Sequence, residues 1–190
     1  MRKIVFDIET KNIFLDVGKN DPALLDASVI GIYDSSTDSY SAYVEEEFPK
    51  LWPILDTADL LIGFNSEHFD IPLLAKYYPG NLRRIKSVDL MKEVKASIGR
   101  RVKLDQIAEG TLGKNKTGHG LDAVTWWKRG EYEKVKAYCV EDVKITKELY
   151  DFALRNNLLR FKEDNKVMDI KLNTTGWETL AEKVVTKSLF

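Results

Sequence analysis

Cysteine and histidine are scarce in this sequence: one cysteine, Cys139, and two histidines, His68 and His119, stand among 190 residues. A single thiol excludes an internal disulfide and a cysteine-built metal site. The two histidines do not have the spacing of zinc ligands. No apolar run approaches the roughly 20 residues that cross a bilayer. The start, Met1-Arg2-Lys3, leads straight into a strand-like run rather than into the apolar region and cleavage site of a signal peptide. The expectation is a cytoplasmic protein with no membrane partner. An excess of charge of one sign is missing too. The formal net charge is -1, so no global field advertises a polyanionic partner. Internal repeats, low-complexity tracts and long linkers are absent, which predicts one substantial core.

What is present is an ordinary globular composition, 44% hydrophobic and 31% charged. The charge is unevenly spread. Between Arg83 and Lys103 stand eight basic residues and two acidic ones, a local zone that is either a phosphate-holding surface or the solvated faces of helices and loops. Strands are predicted at 2–8 (buried on one face), 28–34, 39–44, 58–64 and 86–89. Helices are predicted at 49–57 (opened by Pro49), 70–78, 89–97, 103–110, 119–128 and 131–155. A hairpin is predicted from 158–161 and 167–172. Thr175 and Glu178 fit a capping box for a tail helix with Trp177, Leu180, Ala181, Val184 and Val185 on one stripe. The fold class is α/β, a mixed central sheet of about five strands flanked by helices. Residues 1–155 would form the main domain, with 156–190 packed on it.

Three stretches invite chemistry. In "VFDIET" (5–10), Asp7 and Glu9 point to one face of a strand and Ile8 to the other. The pair is either an exposed strand face or a pair of metal ligands. In "NSEHFD" (65–70), Asp70 opens a helix just after a strand end, where open sheets place their sites. In "YCVED" (138–142), Tyr138 and Asp142 are one turn apart on an otherwise apolar helix face. A carboxylate there is costly unless it is compensated. Gathering Asp7, Glu9, Asp70 and Asp142 would create severe repulsion, which two hard divalent cations remove. Oxygen ligands without cysteine or spaced histidine favour Mg²⁺ or Mn²⁺ over zinc.

In this order, "FDIET", "NSEHFD" and "YCVED" resemble the three motifs of the DEDD superfamily of 3′–5′ exonucleases, D-x-E, N-x-x-x-[FY]-D and Y-x-x-x-D. The tyrosine four residues before the last Asp is similar to the tyrosine branch, which includes the proofreading domains of family-B DNA polymerases. The histidine branch would place His where Ala137 stands. The resemblance covers roughly residues 1–155 and implies a ribonuclease H-like fold and a two-metal hydrolysis of phosphodiester bonds. Asp7, Glu9, Asp70 and Asp142 would ligate two Mg²⁺ or Mn²⁺ ions. Tyr138 would orient the attacking water, since a phenol titrating near ~10 is a poor base at neutral pH. Asn65 would contact the terminal nucleotide, Thr10 the 3′ end through its backbone, and Phe69 would stack on a base or pack. The polymerase part of those relatives is missing, which gives the expectation of a stand-alone nuclease.

The loop from Lys114 to Gly120 precedes a helix. Its amides, with Lys114 and Lys116, would meet a phosphate, or it is a plain surface loop. His119 fits no motif position and is a substrate contact at most. His68 sits at a variable motif position. Of the adjacent Trp126 and Trp127, one would be core and the other available for stacking. The partner expected is the 3′ end of single-stranded DNA. The alternatives are RNA trimming, which the motifs do not separate, and a non-catalytic nucleic-acid-binding module, which usually has lost one of the acids.

Overall fold

Runs of β-branched and aromatic residues build the central layer of this computed structural model, which describes residues 1–114 and 120–179. The strands are β1 (Lys3–Thr10), β2 (Ala27–Asp34), β3 (Ser39–Val44), β4 (Leu60–Gly63) and β5 (Lys86–Asp89). They form one sheet in the order β3-β2-β1-β4-β5. β2 runs antiparallel to β1 and β3, while β4 is parallel to β1 and β5. The sheet is therefore mixed, as the sequence predicts, and β1 lies at its centre.

The period of two along β1 divides the core. Ile4, Phe6 and Ile8 enter a cluster with Ile30, Ile32, Leu61 and Leu73 on one face. Val5 enters a second cluster on the other face with Val143, Ile145 and Leu149. Strand 2–8 was expected to be buried on one face only. It is buried on both, because each face carries helices, and it continues to Thr10, which brings Glu9 into the strand.

The helices are α1 (Phe14–Val17), α2 (Trp52–Asp56), α3 (Asp70–Leu74), α4 (Leu90–Ile98), α5 (Leu104–Leu112), α6 (Gly120–Lys128) and α7 (Tyr132–Asn156). Three differences from the sequence reading have local causes. Residues 45–50 form a 3-10 helix that contains Pro49, and Pro53 opens α2. The helix from Asp70 ends at Leu74 and continues as turns. α1 and a 3-10 turn at Pro22–Leu24 fill the stretch between β1 and β2, for which no element was predicted.

α7 supplies most of one face. Its buried stripe includes Val135, Tyr138, Cys139, Asp142, Val143, Ile145, Leu149 and Tyr150. The hairpin follows as β6 (Leu158–Glu163) and β7 (Lys166–Lys171), closed by Asp164 and Asn165, both at positive φ. Such two-residue turns match the twist of their strands. Leu159, Phe161, Ile170 and Trp177 join the α7-side core. The expected Thr175–Glu178 capping box does not form. Glu178 instead accepts from Lys3 Nζ at 2.8 Å and from the Tyr150 hydroxyl at 3.0 Å, while Trp177 stacks on Tyr150. Leu180, Ala181, Val184 and Val185 lie outside the described residues.

Candidate metal centre

Asp7 and Glu9 share the face of β1 that α7 covers. Their neighbours on β2, directly opposite in register, are Gly31 and Val29. Gly31 is what lets the helix approach. A Cβ there would lie 2.8 Å from Cys139 Sγ and 3.3 Å from the Cys139 backbone. The small thiol of Cys139 fits over the glycine and donates to the Asp7 carbonyl at 3.3 Å, with the Asp7 carboxylate at 3.7 Å. Burial, then the charges of Asp7, Glu9 and Asp142, pushes this thiol well up, so it stays protonated and remains a donor.

One turn from Cys139, Asp142 completes the cluster. Asp7, Glu9 and Asp142 each bring a carboxylate oxygen to within 4.8 Å of the others. Glu9 and Asp142 are buried, at 8% and 4% exposure, where like charges repel strongly. Three hard oxygen donors at this separation fit a divalent cation of the Mg²⁺ or Mn²⁺ kind.

Asp70 opens α3 beside the same cavity. Its Oδ1 accepts from the Ile8 amide at 3.0 Å. Burial first, and the charge of Asp7 second, pushes this carboxyl well above its ordinary value, against the pull of the Ile8 hydrogen bond. Asp70 is thus electrostatically coupled to the cluster while one oxygen is turned to β1. Tyr138 also lines the cavity, buried and braced edge-on by Trp126 at 5.7 Å between ring centroids.

The cavity over these residues encloses about 420 Å³. Its polar floor is Asp7, Glu9, Asp70 and Asp142. Phe14, Phe64, Phe69, Leu121 and Val124 make an apolar wall, in which Phe69 meets Phe14 edge-on. Thr10 and Asn65 line it as well. The Thr10 hydroxyl donates to the Asn12 carbonyl at 2.8 Å. Asn65 adopts a positive φ of 65°, a conformation asparagine tolerates, in the loop after β4. That loop packs tightly, since Ser66 occupies the space that a Cβ on Gly63 would need.

Lys114 stands apart from this cavity. Its ammonium is held by both oxygens of Glu148 on α7, at 2.7 Å each. Lys116 and His119 lie outside the described residues. His68 is exposed. Both tryptophans are half-buried: Trp126 meets Tyr138 edge-on, and Trp127 lies against Tyr132 with Lys11 over its ring.

Sequence reasoning missed two positioning residues. Asp89 is buried and caps α4 through the Met91 and Lys92 amides, and its carboxylate also accepts from the Asn65 amide at 2.7 Å and the Glu67 amide at 3.0 Å. It therefore holds the loop that presents Asn65. The capping half of this role is visible as an Asp just before an apolar helix start; the grip on residues 24 positions earlier is not. Gly31 is the other, and nothing in "SVIGIYD" marks that glycine as the seat of a helix.

A parallel-antiparallel five-stranded sheet with acids on its central strand and a long helix above them defines the ribonuclease H-like class. The profile of the RNase_H superfamily matches residues 4–154, and the chain belongs to that family. Among solved structures, a family B DNA polymerase from the hyperthermophilic archaeon Pyrobaculum calidifontis is similar in fold, with a TM-score of 0.63 at 18% identity. The match covers 81% of this chain and 24% of the polymerase chain, so the similarity spans a minor part of that protein. No curated protein matches the sequence. Among the described residues no helix is long and apolar enough to cross a membrane.

Proposed function

We propose that the chain is a metal-dependent 3′–5′ exonuclease of the tyrosine branch, hydrolysing phosphodiester bonds from the 3′ end of single-stranded DNA. The observation that carries this reading is the convergence of Asp7, Glu9 and Asp142 on one point, inside a cavity that Asp70 and Tyr138 also line. Asp7, Glu9, Asp70 and Asp142 would hold two divalent cations, Mg²⁺ or Mn²⁺, which supply the positive charge and the Lewis acidity that phosphodiester hydrolysis needs. Tyr138 orients the attacking water through its hydroxyl, held in place by Trp126. The apolar wall receives the terminal base, with Phe69 at its edge, and Asn65 and Thr10 contact the terminal nucleotide. Residues 1–155 carry this chemistry, and the hairpin and the stretch to Trp177 support it from the same core.

The test is a gel assay on 5′-labelled single-stranded DNA and RNA of matched sequence, with Mg²⁺, Mn²⁺ or EDTA, beside the Asp7→Asn variant. The expected result is a ladder shortening from the 3′ end of DNA, lost in EDTA and in the variant. A ladder confined to RNA would change the substrate. Cleavage that survives Asp7→Asn in a folded protein would remove the assignment.

A further inference from the structure

The basic zone from Arg83 to Lys103 is left unused by the catalytic reading, and the fold sorts its members. Arg100 pairs with Glu163 of the hairpin at 2.6 Å. Lys86 donates to the Gly176 and Thr179 carbonyls. Lys92 pairs with Glu67 at 2.5 Å. Lys95 and Arg101 are exposed and make no ion pair among the described residues. Both line a second cavity, of about 450 Å³. Asn65 lines this cavity and the acidic one, so the two meet at that residue. Arg101 donates to the Asn65 side-chain oxygen, which ties the basic wall to the loop that separates the cavities.

The charges on this wall are not balanced locally. Two acids belong to it, Glu67 and Asp89. Glu67 is taken by Lys92, and Asp89 is buried and spends its oxygens on four backbone amides. What faces solvent is the positive charge of Lys95 and Arg101. A polyanion seated in the acidic cavity is repelled there by the cluster at every phosphate except the one its cations hold. A positive wall beside the acidic cavity offsets that repulsion for the rest of the strand, and this one is adjacent.

We propose, resting on the nuclease reading above, that the second cavity holds the phosphate backbone of the substrate strand on the 5′ side of the terminal nucleotide. Lys95 and Arg101 each contact a phosphate, and Arg101 also positions Asn65. The ligand is the phosphodiester chain of a single strand, recognised through charge and without regard to base.

Fluorescence anisotropy with 5′-labelled dT10 and rU10 tests this in Ca²⁺, across salt from about 50 to 200 mM. Lys95→Gln and Arg101→Gln should each weaken binding of both oligonucleotides roughly three- to tenfold and lower the slope of log K against log salt by about 0.7. Arg101→Lys, which keeps the charge, should recover most of the slope. Unchanged affinity and slope in folded Lys95→Gln and Arg101→Gln proteins would overturn the proposal. Weakening confined to rU10 would overturn it as well, since the contact would then be to the 2′-hydroxyl. The gel assay on the unmodified chain separates the two claims. A chain that shortens DNA while its variants bind normally loses the second cavity but keeps the nuclease. A chain that shortens nothing while its variants bind weakly loses the nuclease and keeps the phosphate site.

Discussion

At the Lys3 end of β1 and its pairing with β2, the buried Asp34 carboxylate receives a two-pronged bond from the Arg2 guanidinium and two more from the Ser36 amide and hydroxyl. At the Thr10 end, the Asp7 and Glu9 carboxylates meet another carboxylate, Asp142, with Asp70 close enough to feel Asp7. Both ends bury acids in the same sheet. The first arrangement is complete within the chain: fixed donors surround one charge, so it stabilises the fold. The second gathers like charges, whose mutual repulsion costs stability wherever it is not compensated. A buried acid is thus a structural element or a candidate site according to what it is aimed at, and the two ends of β1 set the two cases side by side.

The contrast breaks most sharply at Asp142. Asp142→Asn should lower nuclease turnover by on the order of 10²- to 10³-fold, the scale seen when one electrostatic stabiliser is removed. It should not destabilise the cation-free protein, because it relieves repulsion. Mn²⁺ at about a hundred times its dissociation constant should stabilise the unmodified chain by about 2.7 kcal/mol. The variant should lose most of that gain. Thermal unfolding with and without Mn²⁺ measures it, and an equal Mn²⁺ shift in both proteins would count against a metal centre at this end.

Gly31 sharpens the comparison from the packing side. Gly31→Ala places a methyl group against Cys139, and overpacking of this kind costs about 1–3 kcal/mol. Because Tyr138 and Asp142 ride on the same helix, turnover should fall by more than the stability loss explains. Adding Cys139→Ala removes the sulfur and should restore part of both. Chemical denaturation of the two single variants and the double variant gives the coupling. Additive losses would mean that α7 does not rest on Gly31.

Much of this was legible in the sequence, and what was missed around the site has a common cause. The order of strands and helices follows from local periodicity, so β3 and β5 fall at the expected residues, 39–44 and 86–89. The "FDIET", "NSEHFD" and "YCVED" stretches are also local, and the fold brings Asp7, Glu9 and Asp142 into one cluster with Asp70 beside the same cavity. The bounds of the helices near Pro49 and after Leu74 were missed for local reasons, whereas the failures around the site are long-range. That Asp89 grips Asn65, that Gly31 seats Cys139, that Glu148 takes Lys114 and that Glu178 turns back to Lys3 all depend on contacts between distant segments. No window of the sequence contains both partners. The pairing of Arg2 with Asp34 was equally hidden, since Asp34 ends a predicted strand 32 positions from its partner.

The smallest effect separates the two ends by the sign of their pH dependence. Burial raises the Asp34 carboxyl, but the hydrogen bonds from Arg2 and Ser36 outweigh it and hold the group below its ordinary value. Its stabilisation is therefore complete above the unfolded value of about 3.9 and is lost as pH falls through the lower folded value. Asp70 is shifted the other way, by burial and by Asp7. Its contribution is complete below the unfolded value and is lost as pH rises through the raised folded one. In EDTA, then, unfolding free energy should fall on the acid side because of Asp34 and on the neutral side because of Asp70. Asp34→Asn should cost about 1–2 kcal/mol near neutral pH, with the gap to the unmodified chain closing in acid. Asp70→Asn should flatten the opposite limb and leave the acid limb intact. Urea midpoints across pH decide between the ends. If Asp34→Asn left the acid limb unchanged, the Arg2 pair would not be what stabilises its end of β1. If Asp70→Asn left the neutral limb unchanged, the strain at the other end would lie with the three converging carboxylates alone.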